Sequence, residues 1–278
     1  MRNIPSPGTD MSQRTPTTGT SFMTAQAFEF DGPRGYRLAG RLELPDAEPQ
    51  GWAILAHCFT CGKDSLAASR LARALAARGI GVLRFDFAGL GSSGGTFADA
   101  TFAADVDDLV AAGNAMAEDG KPPVILIGHS LGGAAALMAA GKMPGMRAVA
   151  TLGAPFDISH VLHQFDPGSL QAIEAQGQAE VLLGGRPFVV RKSFVEDLGQ
   201  HDLASRIAQL RMPLLILHSP LDTTVGIENA GRIFAAAKHP KSFISLDDAD
   251  HLLTRRADAD YAAAMISTWA SRFLPAQG

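Results

Sequence analysis

Short apolar runs alternate along the chain with longer stretches in which apolar positions recur every three or four residues. "YRLAGRLELP" (residues 36–45) alternates apolar and polar positions, the period of a strand buried on one face. "GWAILAHC" (51–58), "IGVLRFDF" (80–87), "PPVILIGH" (122–129), "MRAVATLGAP" (146–155), "PLLILHS" (213–219) and "KSFISLDD" (241–248) contain apolar runs of strand length. Runs of that kind suit strands covered on both faces. The stretches between them, residues 65–79, 99–118, 130–142, 226–237 and 258–274, carry helical spacing. Asp64 or Ser65 offers a cap to the first of these and Gly79 a stop. Strand–helix alternation predicts an α/β fold whose sheet is mostly parallel and has helices on both faces.

One stretch breaks the rhythm. Between Pro155 and Met212 lie more residues than the 2–6 of an ordinary connection in such units. "AEVLLGGRPFVV" (179–190) predicts a β-hairpin turning at Gly184 and Gly185. Helical segments are expected before it (168–177) and after it (193–210). An insertion over about residues 156–211, placed where strands deliver their C-terminal ends, is a candidate cap over a site. The alternative is a surface subdomain with no role in the site. Its apolar residues Leu162, Phe165, Leu170, Ile173, Leu182, Leu183, Phe188 and Phe194 suit either the wall of a pocket or the insertion's own core.

Composition narrows the class. The chain has 278 residues, 46% hydrophobic and 19% charged, enough for a full-sized core in one domain over 25–278. Its formal net charge of -4 argues against nucleic-acid or anionic-membrane partners. No apolar run approaches the roughly 20 residues of a membrane span. The opening "MRNIPSPGTDMSQRTPTTGTSF" lacks the apolar core of a signal peptide. Its Pro, Thr, Ser and Gly predict a disordered tail over residues 1–24, with Met11 or Met23 as alternative starts. A cytoplasmic location is the expectation.

The chemistry concentrates in "GHSLGG", where Gly128, Ser130 and Gly132 form G-x-S-x-G between a buried strand and a helix. That context is what a nucleophile elbow requires: a turn too tight for side chains at the flanking positions, with the serine held above the sheet. A serine that merely caps a helix does not need a glycine on each side. The hydroxyl needs a base. Asp222 lies just beyond the strand 213–219, and His251 in the loop after 241–248. Ser130, Asp222, His251 is the chain order expected of such an elbow. Asp247, Asp248 and Asp250 share the histidine's loop and are expected to cap or brace it. His160 and His163 are spaced to share a helix face but have no third ligand nearby in sequence, so no metal site is expected.

"HCFTCGKDS" closes the strand expected over 51–58, where this architecture supplies one of two oxyanion-binding amides. Phe59 is the candidate there, and Leu131, directly after the serine, is the other. The only two cysteines, Cys58 and Cys61, fall in the same turn. Either they are present as small residues, or they form a redox pair whose disulfide would distort the turn. A zinc site would need two further ligands. "GLGSSG" (89–94) fits G-x-G-x-x-G, but the next helix starts late, so a glycine-rich loop anchored by Asp86 is the expectation.

Together, "GHSLGG", "HCFTCGKDS", "RFDFAGLGSSGG", "PLDTTVG" and "HPKSFISLDDADHLL" resemble the α/β-hydrolase superfamily from about Ala25 to Leu274. Within it they resemble the esterase-like half of hydrolase–OsmC fusion proteins. The chain stops at Gly278 without room for an OsmC domain, so a stand-alone member or a piece of a fusion is expected. The resemblance implies a carboxylesterase of small acyl esters without cofactor or metal, with Ser130, Asp222 and His251 as catalytic residues and Phe59 and Leu131 as oxyanion donors. Acyl transfer, perhydrolysis or thioester cleavage by the same residues, or a non-catalytic binding module, are the alternatives.

Overall fold

The computed structural model describes residues 24–275. The tail expected over 1–24 therefore lies, apart from Thr24, outside the described residues. An eight-stranded sheet forms the frame, built from β1 (Ala25–Asp31), β2 (Arg37–Glu43), β3 (Gly51–Ala56), β4 (Ile80–Phe85), β5 (Pro123–His129), β6 (Ala148–Leu152), β9 (Leu214–His218) and β10 (Lys241–Ser245). Their spatial order is β1-β2-β4-β3-β5-β6-β9-β10. From β4 to β10 neighbours run parallel, while β1 and β2 pair antiparallel at one edge.

The central strands read as unbroken apolar runs because both of their faces are buried. Ile54, Leu126 and Ile216 point into one core, and Leu55, Ile127 and Leu217 into the other. The first core is closed by α2 (Phe102–Glu118), α3 (Leu131–Ala139) and α7 (Glu228–Ala236). The second is closed by α1 (Leu66–Ala76) and α8 (Arg256–Ala270). Ser65 caps α1, its side chain accepting from the Ala68 amide at 3.4 Å. Strand β1 carries no comparable pattern and is absent from the sequence expectation. It is an edge strand of which only Phe30 is buried.

The insertion lies between β6 and β9. It contains a 3₁₀ segment (Ile158–Gln164), α4 (Pro167–Gln176), the hairpin β7–β8 (Gln178–Leu183 and Arg186–Arg191), α5 (Lys192–Leu198) and α6 (Leu203–Gln209). The helical stretch expected over 193–210 is thus two helices. Asp202 starts the second, accepting from the Ser205 amide at 2.9 Å. Of the insertion's apolar residues, Phe165, Ile173, Leu183 and Phe194 are buried in the first core, and Leu162, Leu170 and Phe188 pack on it. Leu182 faces outward, at 65% exposure, as does Val189 on the partner strand. Most of these side chains therefore serve packing.

Candidate active site

Strand β5 delivers Ser130 at its C-terminal end, and α3 begins at the next residue. Ser130 adopts φ 57° and ψ −128°, a conformation costly for any residue with a side chain. The turn closes only because its neighbours are bare. A Cβ on Gly128 would lie 2.3 Å from the Gly132 carbonyl oxygen, and one on Gly132 2.3 Å from the His57 carbonyl oxygen. Both obstacles are backbone, so neither can step aside.

Ser130 Oγ lies 3.0 Å from His251 Nε2, and His251 Nδ1 lies 2.7 Å from Asp222 Oδ2. Residues 121 and 29 positions apart in sequence meet because β5, β9 and β10 end on the same rim of the sheet. Burial of Asp222 opposes its ionisation. Hydrogen bonds from His251 and from the Val225 and Thr224 amides outweigh that and hold the carboxyl below its ordinary pKa. The ionised carboxylate accepts a hydrogen bond from Nδ1–H, which leaves Nε2 free to accept from the serine hydroxyl. Asp248 pairs with Arg255 at 2.7 Å, and Asp250 accepts from the Thr254 amide at 2.9 Å, so these carboxylates brace the histidine loop.

Three further residues shape the group and carry no clear sequence signal. Gly153, directly after β6, lets the Asp222–His251 pair pass close over the strand end. A Cβ there would lie 3.1 Å from Asp222 Oδ2 and 3.3 Å from His251 Nδ1. His218, fully buried at the end of β9, donates through Nε2 to the Val225 carbonyl at 2.7 Å and so shapes the turn that presents Asp222. His129, the residue before the serine, donates through Nε2 to the His251 carbonyl at 2.7 Å and ties the histidine's backbone to the elbow.

Burial first, and the neighbouring His251 second, lower the His129 pKa from 6.5 to about 4. In the unfolded chain this imidazole protonates near its ordinary value, so acid favours unfolding. Its contribution to stability is complete above about pH 6.5 and declines as the pH falls towards 4, by about 2 kcal/mol at pH 5. Burial also lowers the pKa values of His57 and His218, which act in the same direction. Urea titrations at pH 7.5 and pH 5 are expected to show a smaller acid loss in His129→Asn than in wild type. Equal losses would contradict the assignment.

Opposite the elbow, the turn after β3 carries Phe59. The amides of Phe59 and Leu131 donate to no protein acceptor among the described residues. For Leu131 this follows from its place as first residue of α3, where no intrahelical partner exists. The Phe59 ring packs against Phe165 and Phe194 of the insertion, with centroids 6.4 and 5.3 Å apart. Thr60 follows with φ 56°. Cys58 and Cys61 are joined by a disulfide across this turn, with Cα atoms 5.3 Å apart. Small size alone therefore does not account for them. The same turn is tied beneath by Asp86, which accepts from the Lys63 amide and ammonium, both at 2.7 Å, and from the Ser92 amide at 2.9 Å. One buried carboxylate thus anchors both the cysteine turn and the glycine-rich loop, and α2 opens well after that loop, at Phe102. His160 of the insertion donates through Nε2 to the Thr224 carbonyl at 2.8 Å, a structural bond to the loop that carries Asp222.

These elements enclose a cleft of about 500 Å³, bordered by Ser130, His251, the disulfide, Gln164, Arg186 and Thr224. A serine, an imidazole and a carboxylate in hydrogen-bonding sequence, with the serine on a strand–turn–helix elbow, match the arrangement of hydrolases built on such an elbow. The model of the alpha/beta hydrolase family matches residues 53–264.

The chain belongs to this alpha/beta hydrolase family. The alpha/beta hydrolase described here is 46% identical to the esterase domain of a Rhodothermus marinus protein; the match covers 91% of this chain and 100% of that one, with a TM-score of 0.75. It shares its fold with Est1E from Butyrivibrio proteoclasticus, solved with ferulic acid bound, at 20% identity over 89% of this chain and 99% of that chain and a TM-score of 0.76. A monoacylglycerol lipase of Mycolicibacterium smegmatis is 26% identical over 234 residues, 73% of this chain and 81% of the lipase. Among the described residues, no helix of this hydrolase is long and apolar enough to cross a membrane.

Proposed function

We propose that this hydrolase is a serine carboxylesterase acting on small acyl esters through an acyl-enzyme. The observation that carries the reading is the 3.0 Å contact between Ser130 Oγ and His251 Nε2, backed by the 2.7 Å contact from His251 to Asp222. Ser130 Oγ attacks the ester carbonyl carbon while His251 Nε2 takes its proton. Asp222 keeps the imidazole in the Nδ1–H form and stabilises the imidazolium. The carbonyl oxygen becomes an oxyanion that accepts hydrogen bonds from the Phe59 and Leu131 amides. One such donor is worth on the order of 10²–10³ in rate.

As the tetrahedral intermediate collapses, the bond from the carbonyl carbon to the leaving oxygen breaks. His251 returns its proton to that oxygen, and the alcohol departs. Water then repeats the sequence on the acyl-serine, losing its proton to His251 and releasing the acid. Behind Phe59 and Leu131, side chains including Phe87, Leu90, Phe97 and Phe194 leave only about 10 Å³, which favours short acyl groups. The esterase and lipase relatives support the same reaction class. The test is a fluorophosphonate probe together with a panel of p-nitrophenyl esters of rising chain length. Labelling of Ser130, with turnover falling as the chain lengthens, is expected. An unlabelled protein inert towards every ester would refute the reading.

A further inference from the structure

The cleft beside Ser130 has a one-sided charge. Its border includes no Asp or Glu side chain, yet it includes the guanidinium of Arg186. Other cations nearby are already neutralised. Lys63 is paired with Asp86, Arg84 with Glu43, and Arg191, at the far end of the strand that Arg186 begins, with Asp99. Arg186 has no carboxylate partner among the described residues.

What holds Arg186 is different in kind. Its Nη2 donates to the Thr60 carbonyl, and its Cζ sits 5.3 Å from the centroid of the Phe188 ring. A guanidinium has five N–H donors in a planar fork, and a single carbonyl leaves most of them free. The aromatic face and the carbonyl fix the plane of the fork without cancelling its charge. A carboxylate is the group that such a fork binds through two parallel hydrogen bonds. Thr60 is also the residue after Phe59, so the fork is anchored on the turn proposed to hold the oxyanion. Ser130 and Arg186 border the same cleft, so a substrate whose ester carbonyl lies against that turn has the fork on the wall of its own site.

We infer that Arg186 is a specificity-determining residue that binds a carboxylate on the substrate, so that the preferred substrates are esters bearing a negative charge. This rests on the carboxylesterase reading and narrows its substrate class. The charge can sit on either half of the ester, and two probe pairs separate the cases. Monophenyl adipate against methyl phenyl adipate places it on the acyl side. The p-acetoxybenzoate anion against its methyl ester places it on the alcohol side.

The quantity measured is the ratio of kcat/KM for the charged and neutral members of each pair, taken within each variant so that any general loss cancels. In wild type the ratio is expected to exceed one by roughly 10-fold in at least one pair, as for a hydrogen bond to a charged group. Arg186→Gln should bring it to about one, Arg186→Lys should restore part of it, and Arg186→Glu should push it below one. Added salt should lower the wild-type ratio, because the fork is exposed. A wild-type ratio near one in both pairs, or a ratio that survives Arg186→Gln, overturns the inference. Fluorophosphonate labelling in the same samples separates the two failures. A labelled enzyme without charge preference sinks this inference alone, whereas an unlabelled protein inert to all four esters sinks the esterase reading with it.

Discussion

Replacing Ser130 with alanine is expected to lower kcat for ester hydrolysis by on the order of 10⁴–10⁶ and to abolish fluorophosphonate labelling. The substitution removes one oxygen and leaves the carbon frame in place. Alanine inherits the same left-handed backbone angles that serine bears, so the elbow keeps its shape and its cost. The Phe59 and Leu131 amides and the cleft are also untouched, so substrate binding should change little and the loss should fall on kcat. Steady-state kinetics with a short p-nitrophenyl ester check this, with the thermal midpoint as a control for folding. Turnover within 10-fold of wild type would show that the hydroxyl is not the nucleophile.

The second large effect is expected at Asp222. Asp222→Asn should lower kcat by on the order of 10⁴, with KM nearly unchanged. The reason is proton placement. The asparagine oxygen can still accept from the Thr224 and Val225 amides, now 2.9 and 2.8 Å from Asp222 Oδ1. Its nitrogen then faces His251 Nδ1 as a donor, so Nδ1 must accept and the ring proton moves to Nε2. An imidazole protonated at Nε2 cannot take the serine proton. Circular dichroism should be unchanged while activity collapses. A loss below about 10-fold would mean that the carboxylate only fills space.

Local chemistry explains how much of this was legible in the sequence. The elbow is written in adjacent residues, because the clash that demands glycine at 128 and 132 arises within one turn. Asp222 and His251 are legible because each lies in the loop after an apolar run, and parallel strands bring their ends to one rim. Phe59 is legible from its place in the turn that follows the run 51–58. Gly153, His129 and His218 could not be read in the same way. Each acts on a partner that only the folded sheet brings near: Gly153 on the Asp222–His251 pair, His129 on the His251 carbonyl, and His218 on the Val225 carbonyl. The edge strand β1 lacks a pattern because it buries one side chain. The insertion's apolar residues left packing and pocket open, and the structure assigns most of them to packing, which makes the cleft more polar than an apolar wall would.

The backbone twist at residue 130 has a practical consequence. Glycine tolerates those angles better than any residue with a Cβ, so the site of reaction is also a point where the fold gains by losing its side chain. A laboratory screen that ranks variants by heat resistance alone would therefore enrich dead protein at this position. Any effort to toughen this scaffold has to score turnover in the same round.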